Sequence, residues 1–441
     1  MKKYIVLFLL VLSCLPGSLS AYEVSNWEKM IRMFTKGDPG DLARVATQTL
    51  AKVLDEKRFA AAVADSRLRY GKFLQLEGPP EFVRQNEMTR VTQRARYEYA
   101  SLLFTCFVEQ KSGLVAGFFY KSLPPEPVEN ETFREEEVSL GGEWPLPGIL
   151  LIPKNAKQPY PCVILVHGSG PQDRNAAVGP NRIFEEIAHA LGKEGIASLR
   201  YDKRTKIYSR KVRKQTVFTL DDETVDDAVE ALGKAASDPR LRNAPLFLLG
   251  HSLGGMLIPR IAQRTSLPAG YIFLAVPARK MAELYRAQTR YLLANNPGLT
   301  EARKKELAAE LEEMLSTGEK TGRLFGQPVQ KSYWNDLFGY DPVNFIGNVK
   351  CPMLFLQGGR DYQVTADDFN LWKNALKNNP KATFILYDDL NHLMQKGREK
   401  SMPEEYLRKE PVSGKATGDI AAFIRKNSLR KTGPLPAEPS P

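Results

Sequence analysis

The stretch Gly250-His251-Ser252-Leu253-Gly254 decides the fold of this 441-residue chain. Residues 245–249 form an apolar run that predicts a buried strand, and residues 255–262 predict a helix. A serine flanked by glycines between a strand and a helix is typical of the tight turn called a nucleophile elbow. Because Gly250 and Gly254 lack a Cβ, the turn can close and lift the Ser252 hydroxyl out of the sheet. We therefore predict Ser252 to be a catalytic nucleophile, with a plain glycine-rich turn as the alternative.

The nucleophile needs a base, since a serine hydroxyl reacts poorly at neutral pH. The sequence has only four histidines, which are His167, His189, His251 and His392. We assign the base to His392, because it follows the last predicted strand, 383–387, on a loop at the same end of the sheet as Ser252. The other three fit structural places at a strand end, in a helix and beside the nucleophile. A packed loop histidine is the alternative for His392.

An acid must orient the base and stabilise its protonated form. Asp361 ends the stretch Gln357-Gly358-Gly359-Arg360-Asp361, which follows a predicted strand at 352–356. This position places a carboxylate on the face of the sheet that carries Ser252, and the chain order nucleophile, acid, histidine fits the elbow architecture. We therefore assign the acid to Asp361. The rival acids are Asp388 and Asp389, which we interpret as support for the histidine loop.

The negatively charged oxygen of a tetrahedral intermediate needs N–H donors. We predict one donor to be the backbone of Leu253, directly after the nucleophile. The second is expected from the loop His167-Gly168-Ser169-Gly170-Pro171, whose small residues let the backbone approach a substrate. Ser169 is the preferred donor and Gly170 the alternative, which leaves His167 a structural role.

Strands and helices alternate from residue 161 onward, which predicts an α/β fold with a mostly parallel sheet and helices on both faces. Residues 133–140 and 146–152 predict an antiparallel pair that opens this sheet. Residues 279–348 interrupt the alternation with a helical pattern, which we interpret as a lid above the strand ends. Its aromatic residues either line an acyl pocket or form the lid core. They are Tyr285, Tyr291, Tyr333 and Trp334.

The sequence patterns divide the chain into two domains, a linker and a tail. Residues 22–121 carry helical patterns and then strand patterns from residue 82, which predicts a small α+β accessory domain. Proline-rich residues 122–130 predict a stiff linker, 131–430 the catalytic domain, and 431–441 a disordered tail.

The N-terminus has the pattern of a secretory signal over residues 1–21, with two lysines, a short apolar run and small residues. No later segment is apolar enough to span a membrane, so we predict a secreted or periplasmic protein without an integral membrane segment. Lipoprotein anchoring through Cys14 is the alternative. The other cysteines are predicted to be buried thiols and are Cys106, Cys162 and Cys351.

Composition and cysteine spacing argue against a nucleic-acid partner and against a bound cofactor. The formal net charge is +11, but the basic residues are scattered apart from runs at 203–214 and 303–305. A nucleic-acid-binding surface needs a basic stripe with interleaved aromatic residues, so we predict no nucleic-acid partner. The cysteine spacing does not suggest zinc, and serine catalysis needs no cofactor, so we predict neither a metal nor an organic cofactor.

Long motifs in this chain resemble the α/β-hydrolase superfamily, and more narrowly two-domain bacterial carboxylesterases. The run from His167 to Arg174 matches His-Gly-Ser-Gly-Pro-x-Asp-Arg, and 358–364 matches Gly-Gly-Arg-Asp-Tyr-Gln-Val. The resemblance implies an N-terminal cone-shaped α+β domain like nuclear transport factor, with Ser252, Asp361 and His392 as the triad. It also implies hydrolysis of short-chain acyl esters.

Other functions stay open at this point. A serine peptidase or an acyltransferase on the same fold is the first alternative, and a non-catalytic binding protein is the second. The expected substrate is a small-molecule or glycan ester. We interpret the N-terminal domain as an accessory module or a homodimer contact.

Overall fold

The computed structural model describes residues 25–40 and 42–428, and it divides the chain into two compact units after Pro125. The division falls within the predicted linker, 122–130. The end of that segment is not a free linker, however, because Glu129 bridges Arg134 and the Asn130 N–H bonds to the Phe133 carbonyl. The predicted signal, 1–21, and the predicted tail, 431–441, lie outside the described residues.

The described part of the N-terminal unit opens with four helices. They are α1 (Asn26–Lys36), α2 (Leu42–Val45), α3 (Gln48–Val53) and α4 (Glu56–Tyr70). The side chains of Thr47 and Asp55 accept hydrogen bonds from backbone N–H groups in the first turns of α3 and α4, which fixes where these helices begin. Phe34 of α1 and Phe59 of α4 are fully buried in the core of this unit.

An antiparallel sheet of four strands in sequential order completes the N-terminal unit. The strands are β1 (Phe73–Gln85), β2 (Met88–Tyr97), β3 (Ser101–Glu109) and β4 (Val115–Ser122). The prediction of an α+β unit agrees with this order, but the expectation that strands begin at residue 82 is wrong. β1 starts at Phe73 and contains Pro79 and Pro80, which an edge strand tolerates because the pairing with β2 shifts register between Glu77 and Glu81.

The second unit is built on a sheet of eight strands. The strands of this sheet are β5 (Phe133–Leu140), β6 (Leu146–Pro153), β7 (Cys162–Val166), β10 (Ala197–Tyr201), β11 (Leu246–His251), β12 (Pro268–Leu274), β15 (Met353–Gly358) and β16 (Ala382–Tyr387). Two short hairpins lie outside it, formed by β8 (Ala177–Val178) with β9 (Asn181–Arg182) and by β13 (Arg323–Leu324) with β14 (Gln327–Pro328). The large sheet has the order β16-β15-β12-β11-β7-β10-β6-β5. The six strands from β16 to β10 are mutually parallel, and β6 and β5 are antiparallel to their neighbours.

Helices cover both faces of this sheet, as predicted. They are α5 (Ile183–Lys193), α6 (Arg204–Ile207), α7 (Ser209–Val212), a π-helical turn (Asp221–Val225), α8 (Asp226–Ser237), α9 (Leu253–Met256), α10 (Ile258–Arg264), α11 (Met281–Ala294), α12 (Glu301–Thr321), α13 (Lys331–Gly339), α14 (Pro342–Phe345), α15 (Ala366–Ala375) and α16 (Gly414–Ser428), with 3₁₀ turns at Pro239–Leu241, Ile346–Asn348 and Pro403–Leu407. Alternate residues of β7 enter two separate cores, with Ile164 in one and Val163 in the other. Both faces are therefore buried, which is why β7 is apolar throughout.

The insertion between β12 and β15 contains α11 to α14 and the β13–β14 hairpin, in agreement with the helical pattern of 279–348. α12 and α13 pack closely. A Cβ added to Gly318 of α12 would lie only 2.1 Å from the ring of Trp334 on α13, so only glycine fits there. Trp334 is buried and forms part of the core of the insertion. Within the described residues, no helix is both long and apolar enough to cross a membrane, and the three cysteines there are free thiols.

Candidate active site

Ser252 lies on a strained turn between β11 and α9. Its φ is +53°, a conformation that costs a non-glycine residue about 1–3 kcal/mol and is typical of functional positions. A Cβ on Gly250 would lie 2.5 Å from the backbone of Gly255, and one on Gly254 would lie 2.4 Å from the His167 carbonyl oxygen. Both glycines are thus required sterically, as the sequence predicts.

Asp361 and His392 meet directly. Nδ1 of His392 lies 2.7 Å from Oδ2 of Asp361, and both side chains are buried. Oδ1 of Asp361 accepts the backbone N–H groups of Gln363 at 2.8 Å and Val364 at 2.9 Å. The carboxylate is held from both sides, and its contact with Nδ1 leaves Nε2 as the imidazole nitrogen that can exchange a proton with a nucleophile.

The two rival acids occupy a different environment. Asp388 and Asp389 are exposed in the turn after β16, whereas Asp361 is 4% exposed. An exposed carboxylate interacts weakly with a neighbouring charge because water screens it. The geometry therefore favours Asp361 over either rival.

His251 links the nucleophile turn to the histidine loop. Its Nε2 donates to the backbone carbonyl of His392 at 3.0 Å, and the two imidazole rings lie 4.7 Å apart. Burial, together with the nearby His392, lowers the pKa of His251 to about 3, so this side chain is neutral. Sequence reasoning missed this contact, because the two residues are 141 positions apart and His251 carries no motif of its own.

The two predicted oxyanion donors lie on elements that contact the nucleophile turn. Leu253 is the first residue of α9, so its N–H has no acceptor within the helix. Ser169 follows Gly168 on the loop after β7, and a Cβ on Gly168 would lie 3.1 Å from Cβ of Ser252. This close approach requires a very small residue, in line with the sequence argument.

His167 and His189 have structural environments. His167 is buried against the rings of Phe184 and Tyr201, and burial followed by the charge of Lys203 lowers its pKa to about 3. His189 lies on α5, where its Nε2 is 2.8 Å from the Glu135 carboxylate. Both side chains are thus held by contacts of a structural kind.

A cavity of about 560 Å³ adjoins the loop after β7 and has a mainly apolar wall. Ser169, Gly170 and Pro171 form one side, and the insertion contributes Tyr285 and Tyr333. The other two aromatic candidates have different places: Tyr291 stacks on Tyr362, and Trp334 packs inside the insertion. The volume suits a small organic ligand. Within residues 25–40 and 42–428, no cluster of three or more metal-binding side chains occurs.

Several known proteins are similar to this chain. The profile of the family described as serine aminopeptidase, S33, matches residues 157–314. Esterase EstD from Thermotoga maritima is 38% identical over 330 residues, which cover 72% of this chain and 75% of EstD. Among solved structures, the Pyrococcus furiosus esterase Pf2001 is 17% identical, with a TM-score of 0.40, and covers 69% of this chain and 97% of its own. Est1E from Butyrivibrio proteoclasticus is 14% identical, with a TM-score of 0.41, 66% coverage of this chain and 98% of its own.

The match with EstD spans most of both proteins, at an identity well above that of the solved structures. The chain therefore belongs to the family of Esterase EstD within the α/β-hydrolase superfamily.

Proposed function

We propose that this chain is a serine carboxylesterase that hydrolyses short-chain acyl esters. The observation that carries the proposal is the buried contact of 2.7 Å between His392 and Asp361, on loops joined by His251 to the turn that bears Ser252. The relationship to EstD, a protein named as an esterase, supports the same reaction class.

The proposed reaction proceeds through an acyl-enzyme. Oγ of Ser252 attacks the ester carbonyl while Nε2 of His392 accepts the hydroxyl proton, and Asp361 stabilises the resulting imidazolium. The N–H groups of Leu253 and Ser169 bind the negatively charged oxygen of the intermediate. The C–O bond then breaks, and His392 gives its proton to the departing alcohol. Water, deprotonated by His392, repeats the attack and releases the carboxylic acid with Ser252 restored.

The cavity beside the loop 167–171 supports an ester rather than the substrate of an aminopeptidase. Recognition of a free α-ammonium group needs an available carboxylate. Among the cavity-lining residues that the structure describes, Glu223 alone is acidic. Its Oε1 is 2.9 Å from Nζ of Lys203 and its Oε2 accepts from Tyr333 at 2.8 Å, so both oxygens are already engaged. A small apolar acyl or alcohol group fits this wall better than a charged one.

Hydrolysis of matched model substrates tests the proposal. We expect the purified protein to cleave p-nitrophenyl esters of two to eight carbons and to leave the corresponding p-nitroanilides almost untouched. Ser252→Ala should remain folded and lose at least about a thousandfold in kcat, while Ser237→Ala, at an exposed position on α8, should match the wild type. Faster cleavage of the anilides would establish the peptidase alternative, and unchanged ester cleavage by folded Ser252→Ala would reject the mechanism.

We further propose that the enzyme is secreted or periplasmic, with a small-molecule or glycan ester of the cell envelope as its substrate. The charged start, apolar run and small residues of 1–21 support this location. Mass spectrometry of the mature N-terminus checks it. Cleavage near Ser20 or Ala21 is expected, and a lipid-modified Cys14 would establish the lipoprotein alternative.

The N-terminal unit is proposed to be an accessory module that forms a homodimer contact. Phe119 supports this, since it is 61% exposed on β4 and alternates with Phe118, which packs on the core. Light scattering of the wild type and Phe119→Glu tests the contact. A dimer that the substitution converts to a monomer is expected, and a wild-type monomer would reject it.

A further inference from the structure

Lys203 begins the basic run 203–214, yet its side chain is almost fully buried, at 1% exposure. A buried ammonium group needs partners that compensate for lost hydration. Nζ of Lys203 donates to the backbone carbonyl of Gly168 at 2.8 Å and forms an ion pair with Glu223 at 2.9 Å. The proposed reaction gives this lysine no task.

The carbonyl that Lys203 binds belongs to the same peptide unit as the N–H of Ser169. A peptide unit is planar and trans, so its C=O and N–H point in opposite directions. A cation fixed on the Gly168 oxygen therefore sets the direction of the Ser169 N–H. The charge also polarises the amide, which makes its N–H a stronger donor in a buried environment.

We propose that Lys203 is a positioning residue of the oxyanion site, which holds the Gly168–Ser169 peptide so that the Ser169 N–H faces the reacting carbonyl oxygen. This inference rests on the proposed function, since it assigns a purpose to Ser169 in ester hydrolysis. The proposed role of Lys203 differs from general stabilisation of the fold, because Lys203 would lower the energy of the transition state, in which negative charge develops on the substrate oxygen.

The ion pair also connects the cavity wall to the oxyanion site. Glu223 lies on the π-helical turn before α8, an element that often marks functional positions. Its second oxygen accepts the hydroxyl of Tyr333, which α13 of the insertion places in the cavity wall. Hydrogen bonds thus run without interruption from Tyr333 through Glu223 and Lys203 to the peptide of Ser169.

The most informative variant is the double substitution Lys203→Met with Glu223→Gln. Methionine keeps most of the length of the lysine side chain, and glutamine keeps an acceptor for Tyr333. Removing both charges avoids the large cost of leaving one buried charge unpaired. Lys206→Met is the matched control, since Lys206 is exposed three residues further along the same basic run.

Three quantities are measured for each protein: kcat and KM with p-nitrophenyl butyrate, the inhibition constant of an alkyl trifluoromethyl ketone, and Tm. The ketone adds to the nucleophile and forms an oxyanion, so its affinity reports the oxyanion site. We expect the double variant to lose about 10- to 100-fold in kcat with KM changed less than about threefold. Affinity for the ketone should weaken by the same factor as kcat/KM, while Lys206→Met matches the wild type.

Several results would overturn the proposal. A folded double variant with wild-type kcat and ketone affinity would make the ion pair a structural contact only. A change in KM alone would place its effect in the cavity wall. If the double variant does not fold, Tyr333→Phe decides: a parallel decrease in kcat and ketone affinity supports the chain of hydrogen bonds, and no decrease rejects it. A folded wild type that neither hydrolyses esters nor binds the ketone would reject the proposed function, and the role of Lys203 with it.

Discussion

His392 and Asp361 form a contact in which each oxygen of the carboxylate has a separate task. Oδ2 lies 2.7 Å from Nδ1 of His392, while Oδ1 accepts the backbone N–H groups of Gln363 and Val364. The backbone contacts fix the plane of the carboxylate, and the carboxylate fixes the tautomer and the orientation of the imidazole.

Asp361→Asn tests this division of tasks. The amide oxygen can still accept from the backbone, but the amide NH₂ cannot accept the Nδ1 proton, so the wrong tautomer of His392 becomes favoured. We expect kcat to fall by about three to four orders of magnitude while Tm changes by only a few degrees. A steady-state assay combined with a thermal melt measures both. A folded variant with more than a tenth of wild-type kcat would show that Asp361 does not orient the base.

The elbow should tolerate no side chain at Gly254. A Cβ there would lie 2.4 Å from the His167 carbonyl oxygen, whereas a Cβ on Gly233 of α8 meets no atom within 4 Å. Gly254→Ala is expected to abolish activity and lower stability. Gly233→Ala should keep activity and gain up to about 1 kcal/mol, since alanine favours a helix interior. Urea denaturation and ester assays of both variants check this pair, and an active Gly254→Ala would contradict the steric account.

The buried histidines predict how stability depends on pH. The pKa of His251 is lowered to about 3 by burial, against about 6.5 for an unfolded histidine. Between these values the unfolded state binds the proton, so stability is complete above about pH 6.5 and falls as the pH decreases toward 3.

His251→Gln isolates the contribution of this one group. The glutamine NH₂ can still donate to the His392 carbonyl but does not titrate, so the slope of unfolding free energy against pH should decrease by up to about 1.4 kcal/mol per pH unit. Urea titrations at pH 4, 5, 6 and 7 measure the slope. Equal slopes for the variant and the wild type would show that His251 is not kept neutral by the fold.

The cavity wall should determine the preferred chain length. Phe325, between β13 and β14, lines the cavity, and its ring lies 5.0 Å from the ring of Tyr285. Phe325→Ala removes apolar wall, so we expect KM to rise about threefold or more for p-nitrophenyl octanoate and to change little for the acetate. Equal effects on both esters would place the acyl group elsewhere.

Local signals explain what the sequence predicts well. The run 245–249 is apolar throughout because β11 is covered on both faces. Gly250 follows from contacts with Gly254 and Gly255 within the turn itself, and Gly254 from the turn pattern, although the atom that a Cβ there would meet belongs to the distant His167. Asp361 and His392 can be paired from sequence because each follows a predicted parallel strand, and such strands end at one edge of the sheet.

Contacts between distant residues explain what the sequence does not predict. β1 contains Pro79 and Pro80, which argue against a strand until its pairing with β2 is known. Lys203 belongs to a basic run that is typical of a solvated surface, and only the fold brings it to Gly168 and Glu223. The contact of His251 with the His392 carbonyl has no local pattern either.

The most direct test of the central claim, an activated Ser252, is reaction of the purified protein with a fluorophosphonate probe followed by peptide mapping. We predict that the probe modifies the peptide containing Ser252 and that His392→Ala abolishes the modification. A folded protein that is not modified, or that is modified at another serine, would contradict the assignment.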